Sequence, residues 1–351
     1  MATDTYFSKP GLTPERTDFY ARLGERSTAP LWEVLGKLVA TEPRPQTQPV
    51  LWHYDSLRPL LMEAGRLLTA EEAERRVLVL ENPGLRGRSQ VTGSLFAGLQ
   101  LILPGEVARC HRHVASALRF IIEGRGAYTS VEGERTEMSP GDFILTPSWM
   151  FHDHGNAGDQ PVVWLDGLDV PMVNMFDTSF AGHPGPTSQP APVEAGASRA
   201  RYGANMLPVD YTPATSSSPV FSYPYSRSRE VLDVLARTSP LHPCHGAKTR
   251  FVNPVTGGHP MPTIAAFMQL LPAGFDGQRY RATDATVYSV VEGEGTTTVG
   301  ETRYAWGPRD IFVIPSWAPV SHHATRDAVL FSMSDRAAQQ ALGLWREEAP
   351  M

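Results

Sequence analysis

Cysteine is nearly absent: Cys110 and Cys244 are the only two among 351 residues. Two cysteines build no disulfide framework, which suits a reducing cytoplasm. Charge is sparse as well. Charged residues make up 19% of the chain, the net charge is −6, and no basic run stands out. Nucleic-acid and anionic-membrane partners are therefore disfavoured. No apolar run is long enough to span a bilayer. The stretch MATDTYFSKPGLTPERTDFY lacks an apolar core flanked by a cleavage site, so it is not expected to be a signal peptide. What is present points elsewhere. Hydrophobic residues reach 41%, enough for a substantial core, and 31 prolines with 30 glycines favour many short strands and turns. The expectation is a soluble, cytoplasmic, β-rich protein.

The first ninety residues read as mostly helical. Thr13-Pro14-Glu15 has the form of an N-cap with proline at the first helical position. Leu31 to Ala40 and Ser56 to Leu68 are further helical candidates, and Thr69-x-x-Glu72 is a capping box ahead of a strand in VLVLENPG. From Gly93 to Asp169 the chain changes to short apolar runs separated by Gly, Pro and Asp, the pattern of an antiparallel barrel or jelly roll. Residues 181–225 are rich in Pro, Ser and Ala and read as a partly irregular connection, followed by a short helix near Arg229 to Arg237.

The short-strand pattern then returns as a repeat. FIIEGRG at Phe120 matches SVVEGEG at Ser289 with an offset of 169, and GDFILTPSW at Gly141 matches RDIFVIPSW at Arg309 with an offset of 168. Two matches at nearly one offset mean two copies of one barrel. The division expected is a helical extension over 1–90, a metal-binding barrel over 91–180, a linker with a short helix over 181–258, and a second barrel over 259–351.

The metal expectation comes from histidine spacing. His111 and His113 stand at i and i+2, so on a strand both imidazoles point to one face. His152 follows some forty residues later, as a strand from elsewhere in the sheet would deliver it. Three imidazoles suit Fe(II), Zn, Cu, Ni or Mn and leave coordination positions open. Cys110, adjacent to His111, points to the opposite face and reads as packing. In the second copy the offset replaces His111 by Tyr280, His113 by Ala282 and His152 by Val320. One metal per chain is therefore expected, with the second barrel structural. His242-Pro-Cys-His245 reads as ordinary loop.

Strand parity nominates the lining. Arg119 shares the parity of His111 and His113, and an arginine beside a metal needs an anionic partner such as a substrate carboxylate. Phe96, Gly98 and Gln100 share a face on the preceding strand: Phe96 to pack a ring, Gly98 to leave room for it, Gln100 to hydrogen-bond a polar group. His154 and Asp166 are candidates for supporting the ligands or taking a phenolic proton.

Gly105-x5-His111-x-His113, Gly141-x5-Pro147 and His152-x3-Asn156 resemble the two cupin motifs, without the usual glutamate of the first. CHRHVASALRFIIEG, MSPGDFILTPSWMFHDHGN and VVWLDGLDVP resemble the gentisate 1,2-dioxygenase family, which includes salicylate and 1-hydroxy-2-naphthoate dioxygenases. The resemblance spans nearly the whole chain. It implies a mainly β bicupin, two double-stranded β-helix or jelly-roll barrels with a helical N-terminal extension. It also implies a non-haem enzyme with one Fe(II) per chain on His111, His113 and His152. Dioxygen would cleave a 2-hydroxybenzoate between its carboxyl- and hydroxyl-bearing carbons, converting gentisate to maleylpyruvate. Arg75, Arg119, Gln100, His154 and Asp166 match positions that line or support the site in that family, and a homotetramer is implied by resemblance alone.

One departure bears on substrate. The family's gentisate enzymes tend to carry tyrosine where Phe96 stands, and the salicylate enzyme a tryptophan. Salicylate or a 5-nitro- or 5-halosalicylate is therefore the alternative substrate. A non-catalytic bicupin binding protein and a cupin sugar isomerase are the other classes; the isomerases usually keep the glutamate missing here.

Overall fold

The computed structural model describes residues 11–183 and 185–350 and divides the chain into two compact units, Met1–Arg44 and Pro45–Met351. In the first, Thr13 caps the helix Pro14–Gly24 by accepting from Arg16 N at 3.3 Å, with Pro14 in the first turn. A second helix spans Leu31–Leu38. Tyr20 joins them, donating to Glu33 at 2.9 Å and accepting from Trp32 Nε1 at 2.8 Å. Neither helix buries a residue.

The second unit holds both copies of the repeat. One six-stranded antiparallel sheet runs Ser222–Tyr223, Phe143–Thr146, Ala117–Glu123, Val162–Leu168, Phe96–Ile102, Val77–Val79. Its counterpart runs Val50–Trp52, Ile311–Ile314, Thr286–Glu292, Ala328–Ser334, Ala265–Leu271, Ala247–Arg250. Smaller sheets complete the barrels. In the first copy that sheet includes Val107–His113, Ala127–Val131 and His152–Asn156; in the second it is Thr302–Trp306, Gly295–Val299 and Val320–Ala324.

Each large sheet takes an edge strand from outside its own copy. Val50–Trp52, ahead of the first barrel, pairs with Ile311–Ile314 of the second. Ser222–Tyr223, from the connection, pairs with Phe143–Thr146 of the first. The residues before 91 are thus not helical alone. They hold the helix Tyr54–Leu67 and a single turn, Ala70–Ala73, with the Thr69–Glu72 capping box. Glu74, at φ 50, then stops that turn, and the chain enters Val77–Val79. The helix of the connection runs Tyr225–Thr238.

Alternation along the strands assigns two faces. Outward residues of the large sheets share one core: Leu118, Phe120, Phe331 and Met333 are buried, and the rings of Phe120 and Phe331 stack at 4.0 Å. Burial of each such side chain is worth roughly 1.5–3 kcal/mol. Gly167 lets the Met333 side chain approach closely: a Cβ on the glycine would stand 2.2 Å from Met333 Sδ, which would have to move. Ile102, Ile121, Ile144 and Trp164 form a separate cluster inside the first barrel. The repeat extends to unusual backbone. The turn after each PS pair puts a tryptophan at positive φ, Trp149 at 64° and Trp317 at 60°. Gly141 at 87° corresponds to Arg309 at 72°.

Candidate active site

The first barrel brings His111, His113 and His152 together. His111 and His152 are direct partners across neighbouring strands, and a bulge between Ala108 and His111 shifts the register just before them. One donor nitrogen from each of the three rings lies within 4.8 Å of the others. Backbone carbonyls orient the rings. His113 Nδ1 lies 2.6 Å from Ala115 O, His152 Nδ1 2.9 Å from Met150 O, and His111 Nδ1 3.2 Å from Arg109 O. For His113 and His152 these acceptors assign the proton to Nδ1 and leave Nε2 as the free lone pair, whereas His111 Nδ1 stands between the Arg109 carbonyl and the donor Arg75 Nη2. His152 Nε2 is buried with no protein partner, an orphan that a metal would satisfy.

Electrostatics keep the rings neutral. Burial, and after it the charge of Arg75, pushes His111 down to about 3. Burial lowers His113 as well and carries His152 and His154 well below the usual imidazole value. Neutral imidazoles are the form that binds a cation. Cys110 is buried, belongs to no ligand group among the described residues, and burial pushes its thiol up to about 11.

Around the triad stands a buried polar shell. Arg119 is 4% exposed and donates to Thr146 Oγ1 at 2.5 Å. Its Nε is 3.6 Å from Asp166 Oδ1 and makes no hydrogen bond, so Asp166 balances its charge without occupying its donors. Asp166 sits within the strand Val162–Leu168, directly opposite both Arg119 and Gly98, and accepts from Trp164 Nε1 at 2.9 Å. Burial lifts Asp166 to about 6 against the pull of Arg119, and lowers Arg119 to about 10. His154 is wholly buried. Its Nδ1 is 2.9 Å from Thr129 Oγ1, which itself donates to Met138 Sδ at 3.3 Å. That chain makes Thr129 the acceptor of the Nδ1 proton and leaves His154 Nε2 unpartnered.

Arg75, carried by the turn after the capping box, reaches the triad. Its Nη2 donates to Arg109 O at 2.6 Å and lies against His111 Nδ1. Gln100 is buried opposite Trp164 and Val77, and Phe96 begins the same strand, half-buried. Gly98 corrects the expectation of room for a ring. A Cβ there would fall 2.4 Å from Val77 Cγ1 and 3.4 Å from Phe96 Cζ, so that space already belongs to protein. Thr129, Thr146 and Trp164 were not anticipated, although their inward parity marks them. His183, whose ring lies 6.4 Å from that of His111, comes from the irregular connection, where no periodicity could have pointed to it.

The chain is similar to known proteins over nearly its whole length. Residues 98–169 match the cupin domain family model. Gentisate 1,2 dioxygenase 1 of Aquipseudomonas alcaligenes is 56% identical over 98% of this chain and 99% of its own. 5-aminosalicylate 1,2-dioxygenase of Comamonas sp is 38% identical over 93% of this chain and 88% of its own. The crystal structure of salicylate 1,2-dioxygenase from Pseudoaminobacter salicylatoxidans with gentisate superposes with a TM-score of 0.91 at 34% identity, covering 97% of this chain and 95% of that one.

Proposed function

The chain belongs to the gentisate 1,2-dioxygenase family of ring-cleaving dioxygenases, and we propose that it opens gentisate between the carboxyl- and hydroxyl-bearing carbons to give maleylpyruvate. His111, His113 and His152 hold one Fe(II) per chain in this reading. Its main support is the set of three neutral imidazoles converging beside a buried arginine whose donors are not all used. Fe(II), when bound, supplies the one-electron chemistry that lets dioxygen react with an aromatic ring.

The protein's own groups do the rest. Arg119 takes the substrate carboxylate through its planar fork, with Asp166 balancing the charge when the site is empty. Arg75 adds a second positive charge at the mouth and, in swinging from His111 toward the carboxylate, frees Nδ1 to donate to Arg109 O. Gln100 offers its amide to a ring hydroxyl, and Phe96 and Gly98 form the wall of the pocket. His154 accepts the phenolic proton at Nε2 while Thr129 holds its Nδ1 proton in place. Burial of this shell excludes water and strengthens each of these contacts.

A second reading rests on Phe96. Without a hydroxyl at that position the wall presents only a ring edge, which suits a 5-substituted salicylate such as 5-nitrosalicylate. Steady-state oxygen uptake by the Fe(II)-loaded protein with gentisate, salicylate and 5-nitrosalicylate separates the two. Gentisate ahead by several orders of magnitude removes the second reading, and uptake with none of the three removes both.

The proposal extends to residues 91–180 as the metal-binding barrel, 259–351 as the barrel without metal, and a cytoplasmic homotetramer. Two buried free cysteines fit a reducing compartment, and among the described residues no helix is long and apolar enough to cross a membrane. Light scattering on the purified protein tests the assembly.

A further inference from the structure

The second barrel carries a pocket beside the positions that hold the site in the first. Register makes the comparison exact in kind: Tyr280 faces Val320 as His111 faces His152. His322 Nδ1 lies 2.9 Å from Thr297 Oγ1, as His154 Nδ1 lies from Thr129 Oγ1. Gln269 takes the place of Gln100, Phe267 that of Gly98, Tyr288 that of Arg119 and Ser332 that of Asp166. The arginine–aspartate pair is gone, and Tyr280 fills the position of a histidine ligand.

A positive charge has nonetheless been kept, on another strand. Lys248 stands opposite Gln269, as Val77 stands opposite Gln100. Its Nζ lies 5.0 Å from the ring of Phe267 and 5.8 Å from that of Tyr288. Among the described residues it has no carboxylate within ion-pair distance. The nearby acids are already engaged. Asp284 accepts from Arg336 at 3.1 and 3.3 Å, and Glu347 lies 3.9 Å from both Arg336 and His245. Lysine is also rare: Lys9, Lys37 and Lys248 are the only three in the chain, so Lys248 is the only one in the second unit.

Lys248 lines a cavity of about 340 Å³ that opens to solvent, with His242, His245, Phe267, Arg336 and Glu347. The rings of His242 and His245 stack at 4.6 Å, and His245 packs edge-on to Tyr280 at 4.3 Å. Unused polar atoms converge there. His245 Nδ1 is buried without a partner, and Gln269 donates to His245 O at 2.8 Å while its Oε1 is buried and unpaired. The two histidines read as loop from the sequence are therefore part of a built pocket.

We infer that this cavity is a second binding site, for a small organic monocarboxylate with an apolar body, held by Lys248 and walled by Phe267 and the two histidines. A half-buried cation with no carboxylate at ion-pair distance is incompletely compensated, and a ligand carboxylate supplies the missing partner. Burial, then the charge of Arg336, already lowers the ammonium to about 7. One unpaired cation beside Glu347 suits a monoanion; a dianion would meet that carboxylate. Cavities of this size are typical for a single-ring ligand.

The test is reductive methylation of the full-length iron-loaded protein with formaldehyde and an amine–borane, read by peptide mass spectrometry, with benzoate as the probe. Benzoate at ten times its dissociation constant should slow modification of Lys248 about tenfold, leaving Lys37 unchanged. The protection should persist in Arg119→Met, and phosphate and maleate should not reproduce it. Calorimetry should lose one benzoate equivalent in Lys248→Met and the other in Arg119→Met. Lys248 modified equally with and without benzoate overturns the inference, as does protection that disappears in Arg119→Met. Full benzoate stoichiometry in Arg119→Met, with the Lys248-dependent equivalent and its protection intact, would instead count against the proposed active site.

Discussion

His111 and Tyr280 occupy one position in two barrels, each facing the residue of the neighbouring strand that either completes or denies a metal site. His111 faces His152, whereas Tyr280 faces Val320. The same register therefore yields three converging nitrogens in one copy and a phenol against an aliphatic side chain in the other. The Tyr280 hydroxyl instead lies 3.2 Å from Tyr288 OH and 3.4 Å from His322 Nε2.

Metal content should follow that difference. His152→Ala removes the buried Nε2 and should reduce bound iron to roughly a tenth or less, with turnover lost in proportion. Ala282→His adds one imidazole where Val320 and Tyr280 offer no companion nitrogen, so iron should stay at one per chain. Elemental analysis of both purified variants checks this. Iron retained by His152→Ala would remove that residue from the ligand set.

Phe96→Tyr should shift substrate preference toward gentisate. A hydroxyl at the pocket wall can bond the second ring hydroxyl of gentisate, which salicylates lack. One such bond is worth about 0.5–1.5 kcal/mol, or up to roughly tenfold in the ratio of kcat/KM values. An unchanged ratio of gentisate to 5-nitrosalicylate would show that this wall does not select the substrate.

Asp166 should set an acid limb. Burial lifts its carboxyl to about 6, so below that pH it is protonated and no longer balances Arg119. Activity should fall as pH drops through about 6, and Asp166→Asn should lose that limb, with kcat/KM at pH 7.5 reduced roughly 10- to 100-fold. The stability sign runs opposite. The folded protein binds this proton more tightly than the unfolded chain, whose value is near 3.8. The carboxyl's contribution thus favours folding most below about 4 and is lost as pH rises through 6. A pH–rate profile of the variant with the same acid limb would assign the limb to another group.

Packing between the barrels can be tested at Gly167. Gly167→Ala places a Cβ against Met333 Sδ and should cost about 1–3 kcal/mol, lowering Tm by several degrees. Met333→Ala in the same chain should recover part of the loss. Calorimetric scans of the single and double variants measure the coupling, and additive losses would place the strain elsewhere.

Much of the proposed active site is legible in the chain because strands alternate with period two. That period alone puts His111 beside His113, aligns Arg119 with them, and turns Cys110 away. Gln100, Phe96 and His154 follow by the same rule. The repeat offset, with no structure at hand, also names Tyr280, Ala282 and Val320 as the residues that replace the ligands. Gly98 shows the limit of such reading: its face was evident, but its neighbour Val77 comes from a strand whose register no pattern specifies.

What the amino-acid sequence determined by itself is therefore the duplicated barrel, the histidine triad and the loss of that triad in the second copy, since each depends on local periodicity and internal matching. Tertiary structure alone decided the exchange of edge strands, with Val50–Trp52 completing the far barrel, and the approach of Arg75 and His183 to His111. It also decided the meeting of Lys248 with Phe267, Tyr288 and the two histidines. These contacts join residues far apart in the chain through turns and non-periodic segments. Their positions depend on which surfaces are buried together, and no spacing along the chain encodes that.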